Sequence, residues 1–168
     1  MFQTVNLPGF VSSIDIELDE FMLPLQEVVV NAIQSIEDRT EGENTISIKV
    51  LRDKQITLKG EGFDIPYKPI TGFEVTDSGI GFISKRYNAF NVMFTDINRK
   101  KGCKGIGRYT VLACFGSMEI DSTFLENGKL MSRVFSFDSI KGIFPDGDGN
   151  LSEIEKGNQR TIVRLLNY

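Results

Sequence analysis

Between Glu20 and Asp38 the apolar residues Phe21, Leu25, Val28, Val29, Ala32, Ile33 and Ile36 recur at three- and four-residue steps. That is the period of an amphipathic helix. Pro24 is tolerable only in a first turn, so the regular helix is predicted to start near it. Ile46, Ile48 and Val50 alternate within "TISIKVLRD" and predict a half-buried strand. The stretch "KGEGFDIPYKP" is punctuated by Gly and Pro and reads as a connection, after which "TGFEVTDSG" reads as a second strand ending in a turn. Residues 83–101 mix aromatics with a terminal basic run, a weak pattern that predicts a partly helical, mobile segment. "RYTVLACFG" predicts a short buried helix with Gly116 as its C-cap. "SMEIDSTFLENGKLMSRVFSF" predicts a hairpin turning at Asn127-Gly128, "GDGN" a further turn, and "QRTIVRLLNY" a last strand. With no internal repeat and no linker, residues 1–168 read as one α+β domain, its helices on one face of a mixed, mostly antiparallel sheet.

Composition narrows the chemistry. The 168 residues are 40% hydrophobic and 25% charged, ordinary values for a soluble globular protein. A net charge of −4 argues against a nucleic-acid surface as the main business of this segment. No apolar run approaches the ~18 residues of a membrane span, and the N-terminus lacks the pattern of a secretory signal. Two cysteines, Cys103 and Cys114, form neither a CxxC pair nor a disulfide framework, so a reducing, cytoplasmic setting is expected. Histidine is absent altogether. Ser-His-Asp and Cys-His catalysis, histidine metal sites and a phospho-accepting histidine on this chain are thereby excluded.

Three constellations remain. Glu27 and Asn31 lie four residues apart on the long helix, on a face opposite Leu25, Val29 and Ala32 and shared with Gln34 and Asp38. Taken alone, such a face is usually solvated; as a site, Asn31 would offer a hard oxygen to Mg²⁺ and Glu27 would deprotonate a water. In "VTDSGIGF", Asp77 ends an apolar strand and is followed by Gly79 and Gly81. The plain reading is an Asx-type turn, and the functional one a carboxylate accepting from an exocyclic amine, with glycines letting backbone approach a flat base. "GCKGIGRYT" lacks the Lys-Ser/Thr pair of a P-loop and the third glycine of a dinucleotide fingerprint. It can still form a nest of backbone N–H groups before a helix starting near Gly107, with Lys104 and Arg108 supplying charge.

In this order, E-x-x-x-N, D-x-G-x-G and G-x-x-G-x-G resemble the N box and two glycine boxes of the GHKL superfamily. These are the Bergerat-fold ATPases, which include the DNA gyrase B subunit, heat-shock chaperone, sensor histidine kinases and MutL. "GNQRTIVRL" looks like the family's late strand, whose Thr (here Thr161) lies beside the adenine-binding Asp. The resemblance runs from about Leu23 to Leu165. It implies a two-layer α/β sandwich that binds and hydrolyses Mg-ATP to drive a conformational or dimerisation switch. Glu27 would be the general base and Asn31 the Mg²⁺ ligand; Asp77 would bind the adenine amino group, with Gly79, Ile80, Gly81 and Thr161 around the base. Residues 83–101 would form the lid, and Gly102, Lys104, Gly105, Ile106, Gly107 and Arg108 the phosphate loop. Expected partners are ATP, a second copy engaged through the lid or N-terminal segment, and a further C-terminal domain or partner protein; no membrane is implied.

Two departures bear on turnover. Many hydrolytic members carry an Asp three residues after the N-box Asn, where this chain has Gln34, and some draw a phosphate-sensing Lys from a second domain that would lie beyond Tyr168. A serine-type protein kinase of the same fold and a nucleotide-gated module without turnover are the alternatives. Histidine kinases usually carry Asn where Glu27 stands. Elsewhere, "PDGDGN" lacks the glycine and glutamate of a calcium loop and reads as a turn, and Cys103 sits in a basic loop that could lower its pKa. The 13 Phe residues are scattered and read as core.

Overall fold

The computed structural model describes residues 6–17, 20, 22–60, 62–92 and 107–168. Two helices open the chain: α1 (Leu7–Ser12), capped by Asn6 Oδ1 accepting from the Gly9 N–H at 3.2 Å, and α2 (Leu23–Glu37). The N-terminal pattern did not signal α1. Six residues with Pro8 in their first turn carry too little periodicity, and the helix is held by packing, with the Phe10 ring edge-on to Tyr109 at 5.3 Å. α2 begins one residue before Pro24, as expected, and buries Leu25, Val28 and Ala32.

Strand β1 (Ile46–Arg52) pairs antiparallel with β4 (Ile70–Asp77). Between them the stretch read as a connection folds as a two-stranded hairpin, β2 (Ile56–Gly60) and β3 (Phe63–Tyr67). Ile56 faces Tyr67 and Leu58 faces Ile65, so cross-strand pairs stabilise what glycine and proline content had hidden. Pro66 is tolerated because β3 pairs on one side alone among the described residues. Helices α3 (Ser84–Phe90) and α4 (Gly107–Cys114) follow. Then come β5 (Ser117–Glu126), β6 (Lys129–Asp138), β7 (Gly142–Phe144), β8 (Ser152–Glu153) and β9 (Arg160–Leu166). The β5–β6 turn falls at Asn127 and Gly128, both with positive φ, as the Asn-Gly signal predicts. Gly116 is not a left-handed C-cap; its N–H pairs with the Asn167 carbonyl at 3.3 Å.

The main sheet runs β1-β4-β9-β5-β6-β7, with β8 also on β6, and every described pairing is antiparallel rather than mixed. One face carries the helices, giving a two-layer α+β sandwich. Register organises that face into rows across the strands. Phe73, Leu165, Met118 and Phe137 form one row, and Val75, Val163, Ile120 and Phe135 the next. All eight are buried. The third row is different: Asp77, Thr161, Ser122 and Arg133, also buried, are polar. Above the apolar rows an aromatic layer joins the helices, with Phe90 and Tyr87 of α3 edge-on to Phe135 at 5.5 and 5.0 Å and Tyr109 of α4 edge-on to Phe137 at 5.7 Å. The scattered Phe residues that enter this layer and those rows are core, as expected.

Candidate functional site

Four buried polar side chains in one row of an otherwise apolar sheet need partners, because an unpaired buried polar group is costly. Asp77 ends β4, and its Oδ1 accepts from the Gly79 N–H at 2.8 Å. Directly opposite on β9 stands Thr161, whose Oγ1 lies 2.9 Å from Ser122 Oγ on β5. Ser122 Oγ also accepts from the Phe82 N–H at 3.0 Å. Arg133, next in the row, donates to the Phe82 carbonyl, with its guanidinium over the Tyr87 ring at 4.5 Å. The polar row therefore holds the chain that leaves β4, residues 78–84, from below.

α2 holds the same segment from the other side. The Ile80 N–H donates to the Ser35 carbonyl at 2.9 Å, and the Gly81 N–H to Ser35 Oγ at 3.4 Å. A Cβ on Gly79 would lie 2.6 Å from Ser35 Cβ, so the segment passes the helix at a distance that excludes a side chain. Gly81 has φ +76°, a conformation that favours glycine, and faces Ser122 and Phe124. Burial pushes the Asp77 carboxyl up from its ordinary range, offset by the Gly79 N–H, a hydrogen bond from the Ser35 hydroxyl and the charge of Arg86.

The helix face shared by Glu27, Asn31, Gln34 and Asp38 is covered in part, with Asp38 as well as Asn31 exposed. Glu27 is half-buried and Gln34 buried, while Asn31 between them is exposed. Arg86 of α3 donates to the Gln34 carbonyl at 3.0 Å and to Asp38 Oδ2 at 2.7 Å, docking α3 on the end of α2. The Glu27 carboxylate lies against Gly107 at the start of α4, where a Cβ would come within 2.6 Å of Glu27 Cδ. Desolvation raises the Glu27 pKa. Arg108, expected in the phosphate loop, lies one residue into α4. Its side chain is buried against Tyr109, whose hydroxyl accepts from Nη2 at 2.8 Å, and against the Phe90 ring at 5.1 Å from its centroid. An arginine one residue into a short helix is carried to whichever side the helix packs on, and here that is the aromatic layer. Gly102, Lys104, Gly105 and Ile106, Cys103, and the second half of the expected lid fall on residues 93–106, outside those described.

The structure thus brings Asp77, Thr161, Gly79, Ile80 and Gly81 together, and sets Glu27 against Gly107. An open cleft of about 670 Å³ also touches Asp77, but it is lined by Thr76, Leu125 and Leu130 of the opposite sheet face and by none of Glu27, Asn31, Gly79, Gly81 or Gly107. Asn31, exposed and one turn after Glu27, fits a metal that keeps much of its water and takes few protein ligands, as Mg²⁺ does on phosphates. Among the described residues no cluster of three or more Cys, Asp and Glu forms a cage for another kind of ion.

No family model matches the chain, and no curated protein matches it in sequence. Solved structures do. The ATPase region of Saccharomyces cerevisiae topoisomerase II superposes with a TM-score of 0.58 over 88% of this chain at 15% identity, and so does the same region bound to ICRF-187 (dexrazoxane). The chain shares its fold with that ATPase region. It spans 37% of the length of the yeast ATPase region. Within this shared fold the two layers are as the sequence implied, helices over an antiparallel sheet. Sequence reading missed Ser35 and Ser122, the two serines that grip the glycine segment. Ser35 had a signal, standing four residues after Asn31 as Asn31 stands after Glu27. Ser122 had none, because only strand pairing sets it beside Thr161. No described helix is long and apolar enough to cross a membrane.

Proposed function

We propose that this chain is an ATP-binding domain that hydrolyses Mg-ATP to ADP and phosphate, using the cycle to drive a conformational or dimerisation switch. The observation that carries the reading is the Asp77–Thr161 pair: a buried carboxylate and hydroxyl side by side at the end of an apolar sheet, next to a glycine segment held flat against α2. Such a carboxylate can accept from the exocyclic amine of adenine, and the absent side chains at Gly79 and Gly81 let the segment pack closely on Ser35, Ser122 and Phe124 beside it. Ile80 lies between them. Gly107 and the segment before it would meet the phosphates through backbone N–H groups, with Lys104 adding charge.

Glu27 would orient and deprotonate the attacking water. Its burial supports this role, because a carboxylate with a raised pKa is a stronger base. Asn31 would hold Mg²⁺, which when bound neutralises charge on the phosphates. Gln34 supports a second reading, a switch that binds ATP without appreciable turnover. It stands where many hydrolytic members have Asp, and it is buried rather than open to water. A further domain supplying a phosphate-sensing lysine, a second copy engaged through the lid or N-terminal segment, and a cytoplasmic setting in which Cys114 stays a free thiol belong to the same proposal.

Nucleotide binding and phosphate release, measured on wild type, Asp77→Asn and Glu27→Ala, test it. Asp77→Asn should lose ATP affinity, and Glu27→Ala should bind ATP normally but not hydrolyse it. Unchanged ATP binding in Asp77→Asn would remove the site. Binding without phosphate release by the full-length wild type would favour the switch.

A further inference from the structure

Base recognition by a single carboxylate depends on where that carboxylate points. A free Asp side chain rotates about two bonds, and each misdirected rotamer lowers the apparent affinity for the base. Asp77 is restrained on both sides. Its own turn supplies the Gly79 N–H at 2.8 Å, and the Ser35 side chain of α2 packs against that turn, with its Oγ 3.4 Å from the Gly81 N–H. A serine hydroxyl has one hydrogen and two lone pairs, so Ser35 can donate to Asp77 while accepting from the Gly81 N–H at 3.4 Å. Its carbonyl, one of the last four in α2 and so without a helical partner of its own, accepts from Ile80 at 2.9 Å. Gly79 lies flat against the same residue. One residue of α2 thus contacts Gly79, Ile80 and Gly81 in turn, while Ser78 is tied instead to Arg39, Glu43 and Thr45.

We propose that Ser35 is the positioning residue for base selection, holding the Asp77 carboxylate and the Gly81 N–H together so that the acceptor is preset for the exocyclic amine of an adenine nucleotide. This rests on the reading of Asp77 given above. Ser35 itself touches no nucleotide; it acts through Asp77. It also sits one helical turn from Asn31, so the base acceptor and the expected metal ligand are carried by the same rigid segment of α2. Guanine presents a carbonyl where adenine presents its amine, and a fixed carboxylate repels it. A carboxylate free to turn away discriminates less.

The test is Ser35→Ala in the full chain, with binding of Mg-ATP, Mg-GTP and Mg-tripolyphosphate measured side by side. Loss of one hydrogen bond should weaken ATP binding about 3- to 10-fold and reduce the ATP-over-GTP preference by the same factor. Tripolyphosphate, which has no base, should bind as to wild type. Equal weakening of all three would mean a general loosening of the site and overturn the proposal, as would an unchanged ATP-over-GTP ratio. A wild type with no preference for ATP removes both this inference and the proposed function; a wild type with that preference and an unaltered Ser35→Ala removes this inference alone.

Discussion

The Glu27 carboxylate lies over the α-carbon of Gly107, with Glu27 Cδ 2.6 Å from where a Cβ on that glycine would be. The contact couples the long helix to the start of α4 and depends on position 107 having no side chain. The atoms that would collide are the far end of a flexible side chain, so Gly107→Ala should fold and displace Glu27 rather than break the helix. The expected outcome is phosphate release reduced about 10-fold or more, since general bases contribute ~10²–10⁴. ATP affinity should change little and the melting temperature should hold or rise, as alanine favours the helix. Parallel calorimetry and phosphate-release assays check it.

Glu27 gives a pH signature. Burial raises its pKa, and only the ionised form can take a proton from water. Hydrolysis should therefore rise with pH through that raised pKa and then level off. Stability moves the opposite way. The folded state binds this proton more tightly than the unfolded chain, so its contribution is greatest at low pH and is lost as pH rises through the folded pKa. Glu27→Gln should abolish turnover and melt at the same or a higher temperature than wild type at neutral pH, the difference shrinking on acidification. A variant that melts lower at neutral pH would show that the carboxylate gains more from its surroundings than it loses to burial.

At Gly79 the obstacle is backbone as well as side chain. A Cβ there would meet both the carbonyl carbon and Cβ of Ser35, at 2.5 and 2.6 Å. Helix and strand end must separate to admit it. Gly79→Ala should destabilise the fold by roughly 1–3 kcal/mol, the range for overpacking, and should weaken ATP binding more than any single hydrogen-bond variant. Denaturant unfolding and nucleotide titration check the two effects.

Arg108 separates structural from phosphate charge. Its guanidinium is buried between the Tyr109 hydroxyl and the Phe90 ring, joining α4 to α3. Arg108→Met keeps the length and loses the charge. The expected result is a lower melting temperature with the salt dependence of ATP binding unchanged, because a screened cation on the phosphates would alter that slope and a buried one does not. A flattened salt dependence would return Arg108 to the phosphates.

How far the candidate site was legible differed by residue. Glu27, Asn31, Asp77, Gly79 and Gly81 could be singled out because each belongs to a short local pattern, and a helix turn or a strand-to-turn transition leaves its mark within a few residues; Thr161 was named through the family resemblance. Ser122 and Arg133 sit in the two strands of what reads simply as a hairpin, and nothing local marks them as polar members of a buried row. Arg108 was read by its neighbours in the chain, yet its side chain answers to neighbours in space. The β2–β3 hairpin was hidden for a related reason: its cross-strand pairs stabilise it where local propensity argues against a strand.

The sequence by itself determined the long helix, the β5–β6 turn, most of the strands and the order of the motifs, although Ile48 and Val50 of the expected half-buried strand β1 are exposed. These follow from hydrophobic period and turn chemistry, which act over a few residues. Tertiary structure alone decided the antiparallel register that sets Asp77, Thr161, Ser122 and Arg133 in one row, the approach of Gly79 to Ser35, and the meeting of Glu27 with Gly107. A one-residue slip of β9 would turn Thr161 to the opposite face and leave every local pattern intact. Long-range register is settled by the packing of whole faces, which no short window of sequence contains.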